Sequence, residues 1–258
     1  MTRILLAIDA WTPLERLLPA ALLMASHQHA ALVGIFSFDS RLQLGAALPF
    51  THEVGALSAA CYPVTAKSID RRIQIIAEGV RQRLAAAAER KQIPWEFRTC
   101  DSSILRIMTE TEADVFFPGW NRKFLTTSAR ASRRISKPAS GTFVVVVDDG
   151  SPSSTNVIHA ARQLATNTKL PQLIIFKLNS DSECPTRKSR VPTGQSVPSG
   201  PIKEIVVRAP SMEQLIRHLR QLEPFLMLIG RDQRLLENGQ LLRDLALINC
   251  PVALLRAN

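Results

Sequence analysis

The stretch RILLAIDAWTPLERLLPAALLMA (residues 3–25) finds a counterpart 139 residues further on, in TFVVVVDDGSPSSTNVIHAARQLA (residues 142–165). Each begins with a short apolar run that reads as a buried parallel strand. Each run ends on an aspartate, Asp9 or Asp148, and three residues later comes a hydroxyl residue followed by proline, Thr12-Pro13 or Ser151-Pro152. A hydroxyl N-cap with proline at the first helical position is a helix-start signal. Thr12 with Glu15 also fits a capping box. Leu14, Leu18, Ala21, Leu22 and Ala25 then keep helical spacing, as do Val157, Ala161, Leu164 and Ala165. A strand-loop-helix unit that occurs twice makes the chain a duplication of an α/β domain.

The correspondence continues down the chain. ALVGIFSF (31–38) matches PQLIIFKL (171–178) as a second strand, with Phe36 against Phe176. WEFRT (95–99) and KEIVVR (203–208) read as third strands, and EADVFFPG (112–119) and EPFLMLIG (223–230) as fourth strands, with Gly119 against Gly230. Helices are expected around 102–112 and 211–222. The first strands are offset by 139 residues but the fourth by only 111, so about 28 residues are missing from the second half. In the first half that interval holds Ser68 to Arg90, where Ile69, Ile73, Ile76, Val80 and Leu84 make a helical apolar stripe. The second half has SDSECPTRKSRVPTGQSVPSGP (180–201) instead, which lacks periodicity and reads as a loop. The expected fold is two tandem doubly wound α/β domains with parallel sheets, 1–140 and 141–258, the second short of one helix. PVALLR (251–256) closes the second domain as a fifth strand. TFVVVVDD is assigned to the second domain, which leaves the first short of an edge.

Composition bounds the function. A chain of 258 residues, 46% apolar and 21% charged, is globular and can bury two cores. No window approaches the roughly 18 apolar residues of a membrane span, and no membrane partner is expected. Asp9 and Glu15 stand where the basic region of a signal peptide would be, so a cytoplasmic protein is expected. Cys61, Cys100, Cys184 and Cys250 are far apart and read as reduced thiols, not as a metal site. The net charge of +10 favours acidic partners. It concentrates in Trp120–Ser140, which holds Arg122, Lys123, Arg130, Arg133, Arg134 and Lys137 and no acidic residue.

With the strand-Asp-x-x-[ST] openings AIDAWT and VVDDGS and the closing LIG…INCPVALLR, the chain resembles the universal stress protein family in its tandem form, over nearly all of both halves. The resemblance implies a five-stranded, adenine-nucleotide-hydrolase-like sheet in each domain, pairing of domains through the last strand, and ATP binding in one branch of the family only. That branch carries a glycine ending the fourth strand, a second glycine three residues on, and a Gly-[ST] pair after nine more. Counted from Gly230 these positions hold Gln233, Arg243 and Asp244; counted from Gly119 they hold Arg122, Ser132 and Arg133. Neither half keeps more than the first glycine. Side chains stand where open backbone would meet phosphates, and Asp244 would repel them.

A residual cleft in the first half would be lined by Asp9, Trp11, Gly119, Arg122, Ser132 and Arg133, with Trp120 opposite Trp11 for an adenine to stack on. Asp148 and Gly230 mark its degenerate counterpart. Asp9 and Asp148 end strands at the carboxyl edge, where such sheets bind ligands, but they also suit helix N-terminal capping. No catalytic constellation is found: G-x-G-x-x-G, Walker, G-x-S-x-G and H-E-x-x-H patterns are all missing. The leading expectation is a non-catalytic stress-response or regulatory module acting through contacts with an unknown protein partner. Its two halves form a pseudo-twofold pair, as an intramolecular pseudo-dimer or within a homodimer, and no cofactor is expected. The alternatives are an ATP- or AMP-binding sensor using the first domain only, and a nucleic-acid-binding protein using the basic segments.

Overall fold

Alternation decides where the first strand goes. In β1 (Arg3–Ile8), Ile4, Leu6 and Ile8 face one side of a sheet while Leu5 and Ala7 face the other, and all five are buried. A strand buried on both faces needs helices on both, and the chain supplies them. The structure is a computed structural model, and it describes residues 2–54, 58–119, 143–168, 170, 172–178, 195–199, 202–209, 214–217, 219, 224–231 and 250–256.

After β1 the first half runs α1 (Leu14–Gln28), β2 (Ala31–Phe38), α2 (Arg41–Ala46), β3 (His52–Val54), β4 (Cys61–Pro63), α3 (Ala66–Glu89), β5 (Trp95–Asp101), α4 (Ile104–Glu110) and β6 (Val115–Pro118). The second half runs β7 (Phe143–Asp148), α5 (Pro152–Asn167), β8 (Gln172–Leu178), β9 (Gln195–Ser199), β10 (Ile202–Ala209), β11 (Leu226–Gly230) and β12 (Val252–Leu255), with a helical segment at 214–217. The helical positions expected on α1 and α5 prove buried where the spacing put them: Leu14, Leu18, Ala21, Leu22 and Ala25 on α1, and Val157, Ala161, Leu164 and Ala165 on α5.

Among the described residues, ten strands form a single sheet in the order β5-β2-β1-β6-β12-β11-β7-β8-β10-β9. The first half contributes β5-β2-β1-β6, all parallel, and the second contributes the rest. β7, which lies within TFVVVVDD, pairs in parallel with both β8 and β11. The seam is the antiparallel pair β6–β12, Phe116 opposite Leu254 and Val115 opposite Leu255. β12 therefore fills the place of the fifth strand that the first half lacks. The two apolar clusters, one on each face, run unbroken across this seam: Leu6, Val144 and Ala253 share one, and Leu5, Val145 and Leu254 the other.

Several expectations need correction. The sheet is mixed, because the seam and the β9–β10 hairpin are antiparallel. At the seam a fourth strand meets a fifth, so the halves do not pair like strand with like strand. Gln195–Ser199, expected within a loop, forms an edge strand on β10. Ile76 is exposed and Ala77 buried in its place, because α3 turns toward α1 and β2 while α2 covers part of its flank. Thr12 does not cap α1: the helix begins at Leu14 after Pro13 and has no side-chain cap. The reason is that the Thr12 hydroxyl is engaged elsewhere, at the site described next. Ser151 does cap α5, accepting from the Ser154 N–H, with Pro152 in the first turn.

Candidate functional site

β2 and β6 lie on opposite sides of β1, so the crevice at the carboxyl ends of β1 and β6 is the topological switch point of the first half, where doubly wound sheets take their ligands. Asp9 leaves β1 there and Gly119 leaves β6. The structure brings these two together through a third residue, Thr12. The Thr12 hydroxyl accepts from the Asp9 N–H at 2.9 Å. It lies 2.7 Å from Asp9 Oδ1 and 3.0 Å from the Gly119 carbonyl, and its single proton serves those two acceptors. Asp9 Oδ1 also accepts from the Trp11 N–H at 2.9 Å. Every one of these bonds stays within the protein, and they tie the loop after β1 to the end of β6.

Gly119 is required by this contact. A Cβ there would stand 2.3 Å from the Ala7 carbonyl oxygen and 2.5 Å from Thr12 Oγ1, far inside van der Waals contact. Its N–H donates to the same Ala7 carbonyl at 2.6 Å. Burial pushes the Asp9 carboxyl above its ordinary value, and the hydrogen bonds from the Thr12 hydroxyl and from backbone N–H groups only partly offset this. The Trp11 side chain is 54% exposed at the rim. Trp120, Arg122, Lys123, Ser132 and Arg133, the remaining residues expected at this cleft, lie outside the described residues.

The second crevice, between β7 and β11, is built differently. Asp148 Oδ1 accepts from the Gly150 N–H at 3.0 Å and from the Ser154 hydroxyl at 2.7 Å, and Lys177 Nζ stands 3.9 Å from Oδ2. Gly150 takes φ +75°, a turn that a side chain would strain. Ser151, the counterpart of Thr12, donates to Asp149 Oδ1 and caps the helix. On the other wall, the first N–H after Gly230 belongs to Arg231 and donates to the Leu255 carbonyl at 2.6 Å. The Arg231 guanidinium crosses the seam to the carbonyls of Met108 and Thr111, at the carboxyl end of α4. A cation placed there is favoured by the helix dipole. Sequence reasoning missed Arg231, since no pattern marks an arginine as reaching into the other half. Gln233, Gly239, Arg243 and Asp244 lie outside the described residues.

No protein-family model matches the chain, and no curated protein matches it. Solved structures do. A universal stress protein from Archaeoglobus fulgidus DSM 4304 superposes with a TM-score of 0.50 at 10% identity, covering 99% of this chain and 96% of that one. This chain has the universal stress protein fold. A candidate universal stress protein from Pseudomonas aeruginosa UCBPP-PA14 gives a TM-score of 0.46 at 11% identity, over 99% of this chain and 93% of that one. At such identities the likeness concerns the fold alone. Within the universal stress protein fold, the Asp9–Thr12–Gly119 cluster stands at the switch point of the first half and Asp148 at that of the second. Among the described residues no group of three or more His, Cys, Asp or Glu side chains is placed to hold a metal, and no helix is long and apolar enough to cross a membrane.

Proposed function

We propose that the chain is a non-catalytic, universal-stress-protein-like regulatory module that acts through protein contacts and has given up nucleotide binding. The observation that carries this reading is the Thr12 bridge. A nucleotide at the first switch point would draw on free backbone and carboxylate oxygens, whereas the Asp9 N–H and Oδ1, the Thr12 hydroxyl and the Gly119 carbonyl are already bonded to one another. The pairing of the Arg231 N–H with Leu255 supports the same reading in the second half, where a phosphate would need that donor. The motif positions that hold Gln233, Arg243 and Asp244 add to it.

The test is calorimetric titration of the full chain with ATP and magnesium, and separately with AMP. No saturable heat is expected up to millimolar nucleotide. Saturable micromolar binding that Asp9→Ala abolishes would overturn the proposal, because it would make the first crevice a working site.

A further inference from the structure

A cavity of about 360 Å³ opens between the two halves. It lies at the amino ends of β1 and β6, the edge of the first half's sheet away from the Asp9–Thr12–Gly119 cluster. Thr2 precedes β1 there, Asp114 precedes β6, and the antiparallel β12 brings Leu255 and Arg256 to the same edge. Small-molecule sites form preferentially where domains meet, and this volume stands at the lower end of their range, roughly 300–1,000 Å³. The apolar part of the lining is Val115, Val157 and Leu255, all members of the cluster that crosses the seam. One wall is a single face of α5, where Asn156, His159, Ala160 and Gln163 stand at helical spacing. The first half contributes Gln28, the last residue of α1. Gln28 Oε1 is buried and has no hydrogen-bond partner. An orphaned acceptor of that kind costs stability, and a donor entering the cavity would satisfy it after a turn of the amide about its last bond. The two walls are already fastened together. The Asn167 amide, one turn beyond Gln163, lies 2.9 Å from the ring of His27, the residue before Gln28.

We propose that this cavity binds a neutral polyhydroxylated molecule of monosaccharide size. Charge supports the choice. The two ionised residues of the lining, Asp114 and Arg256, cancel, so neither a phosphate nor an ammonium compound finds a net counter-charge. The remaining polar residues are uncharged: the Thr2 hydroxyl, the amides of Gln28, Asn156 and Gln163, and the His159 imidazole. Each of these groups both donates and accepts, as every sugar hydroxyl does. The C–H surface of the ligand would rest on Val115, Val157 and Leu255. Such an occupant touches both halves at once, through Gln28 on one side and α5 on the other. The inference stands whether or not either crevice binds nucleotide.

Saturation-transfer NMR of the full chain tests it, with glucose, galactose, mannose, ribose and myo-inositol set against glutamate and lysine, followed by calorimetric titration of the compounds that bind. At least one of the neutral compounds is expected to bind one to one, in the millimolar range or tighter, and to raise the melting temperature. Gln28→Leu and Gln163→Leu, one from each half, are each expected to weaken that binding by about tenfold. Gln163 is exposed, so its variant keeps the fold whatever Gln28→Leu does. A panel in which no neutral compound binds at millimolar concentration overturns the proposal, as does binding of glutamate or lysine alone. Binding that neither variant weakens overturns it too, by placing the ligand elsewhere.

Discussion

Gly119 is fixed by the oxygen atoms around it. With the Ala7 carbonyl oxygen 2.3 Å and Thr12 Oγ1 2.5 Å from where a Cβ would sit, Gly119→Ala should destabilise the protein by about 1–3 kcal/mol. Removing the hydroxyl as well, in Thr12→Ala/Gly119→Ala, should recover only part of this, because the Ala7 carbonyl is backbone and cannot turn away. Denaturant midpoints of the two variants check both statements, and full recovery in the double variant would contradict the second. Asp9 makes a prediction with a sign. Burial raises its carboxyl above the ordinary 3.8, so the folded state holds the proton to higher pH than the unfolded chain does. The associated stability is complete below 3.8 and is lost as pH rises through the folded value. Asp9→Asn keeps an oxygen for Trp11 and Thr12 without the charge. It should melt above the wild type at pH 7, with the advantage shrinking as pH falls toward 3.8. An asparagine variant that melts below the wild type at pH 7 would show that the carboxylate's hydrogen bonds outweigh its burial.

Between elements, one ion pair joins α5 to β10. Glu204 is buried, its side chain 6% exposed, and Arg162 meets both its carboxylate oxygens, at 2.7 and 3.0 Å. Removing a buried charge's partner leaves that charge uncompensated, although the Arg162 side chain is 51% exposed and its end of the bond is solvated. Arg162→Ala should therefore cost about 2–3 kcal/mol, below the full range for a wholly buried pair. Arg162→Leu/Glu204→Leu should cost less than Arg162→Ala alone, as a double-mutant cycle from chemical denaturation would show. The elements themselves were largely legible in the sequence. Strands β1, β2, β6, β7, β8, β11 and β12 and helices α1 and α5 lie where apolar runs and helical spacing put them, because burial on both faces of a sheet leaves that pattern in the residues. The exceptions have physical causes. Thr12 followed by proline carries the signature of an N-cap, but a hydroxyl can bond across the sheet as readily as to its own helix, and only the position of Gly119 decides which. The small hairpin β3–β4 escaped notice because all six of its residues are exposed, so no burial pattern marks it. Arg231 reaches α4 across a seam that no local pattern encodes.

At the scale of the whole molecule, the seam β6–β12 makes the halves one sheet, with apolar clusters common to both. Further links cross it: Arg231 to Met108 and Thr111, the Arg256 N–H to the Asp114 carbonyl, and the Asn167 amide to the His27 ring at 2.9 Å. Halves joined in this way should unfold together. A single calorimetric transition with equal calorimetric and van't Hoff enthalpies is expected, and two separated transitions would show that the seam is weak. The most direct measurement is native mass spectrometry of the full chain, gently purified and then incubated with ATP, AMP and magnesium. The mass of the bare polypeptide, or of twice that polypeptide, is the expected result. A stoichiometric increment of one nucleotide per chain would contradict the proposal that the Asp9–Thr12–Gly119 cluster holds no nucleotide, and with it the reading of the protein as a module that works through contacts alone.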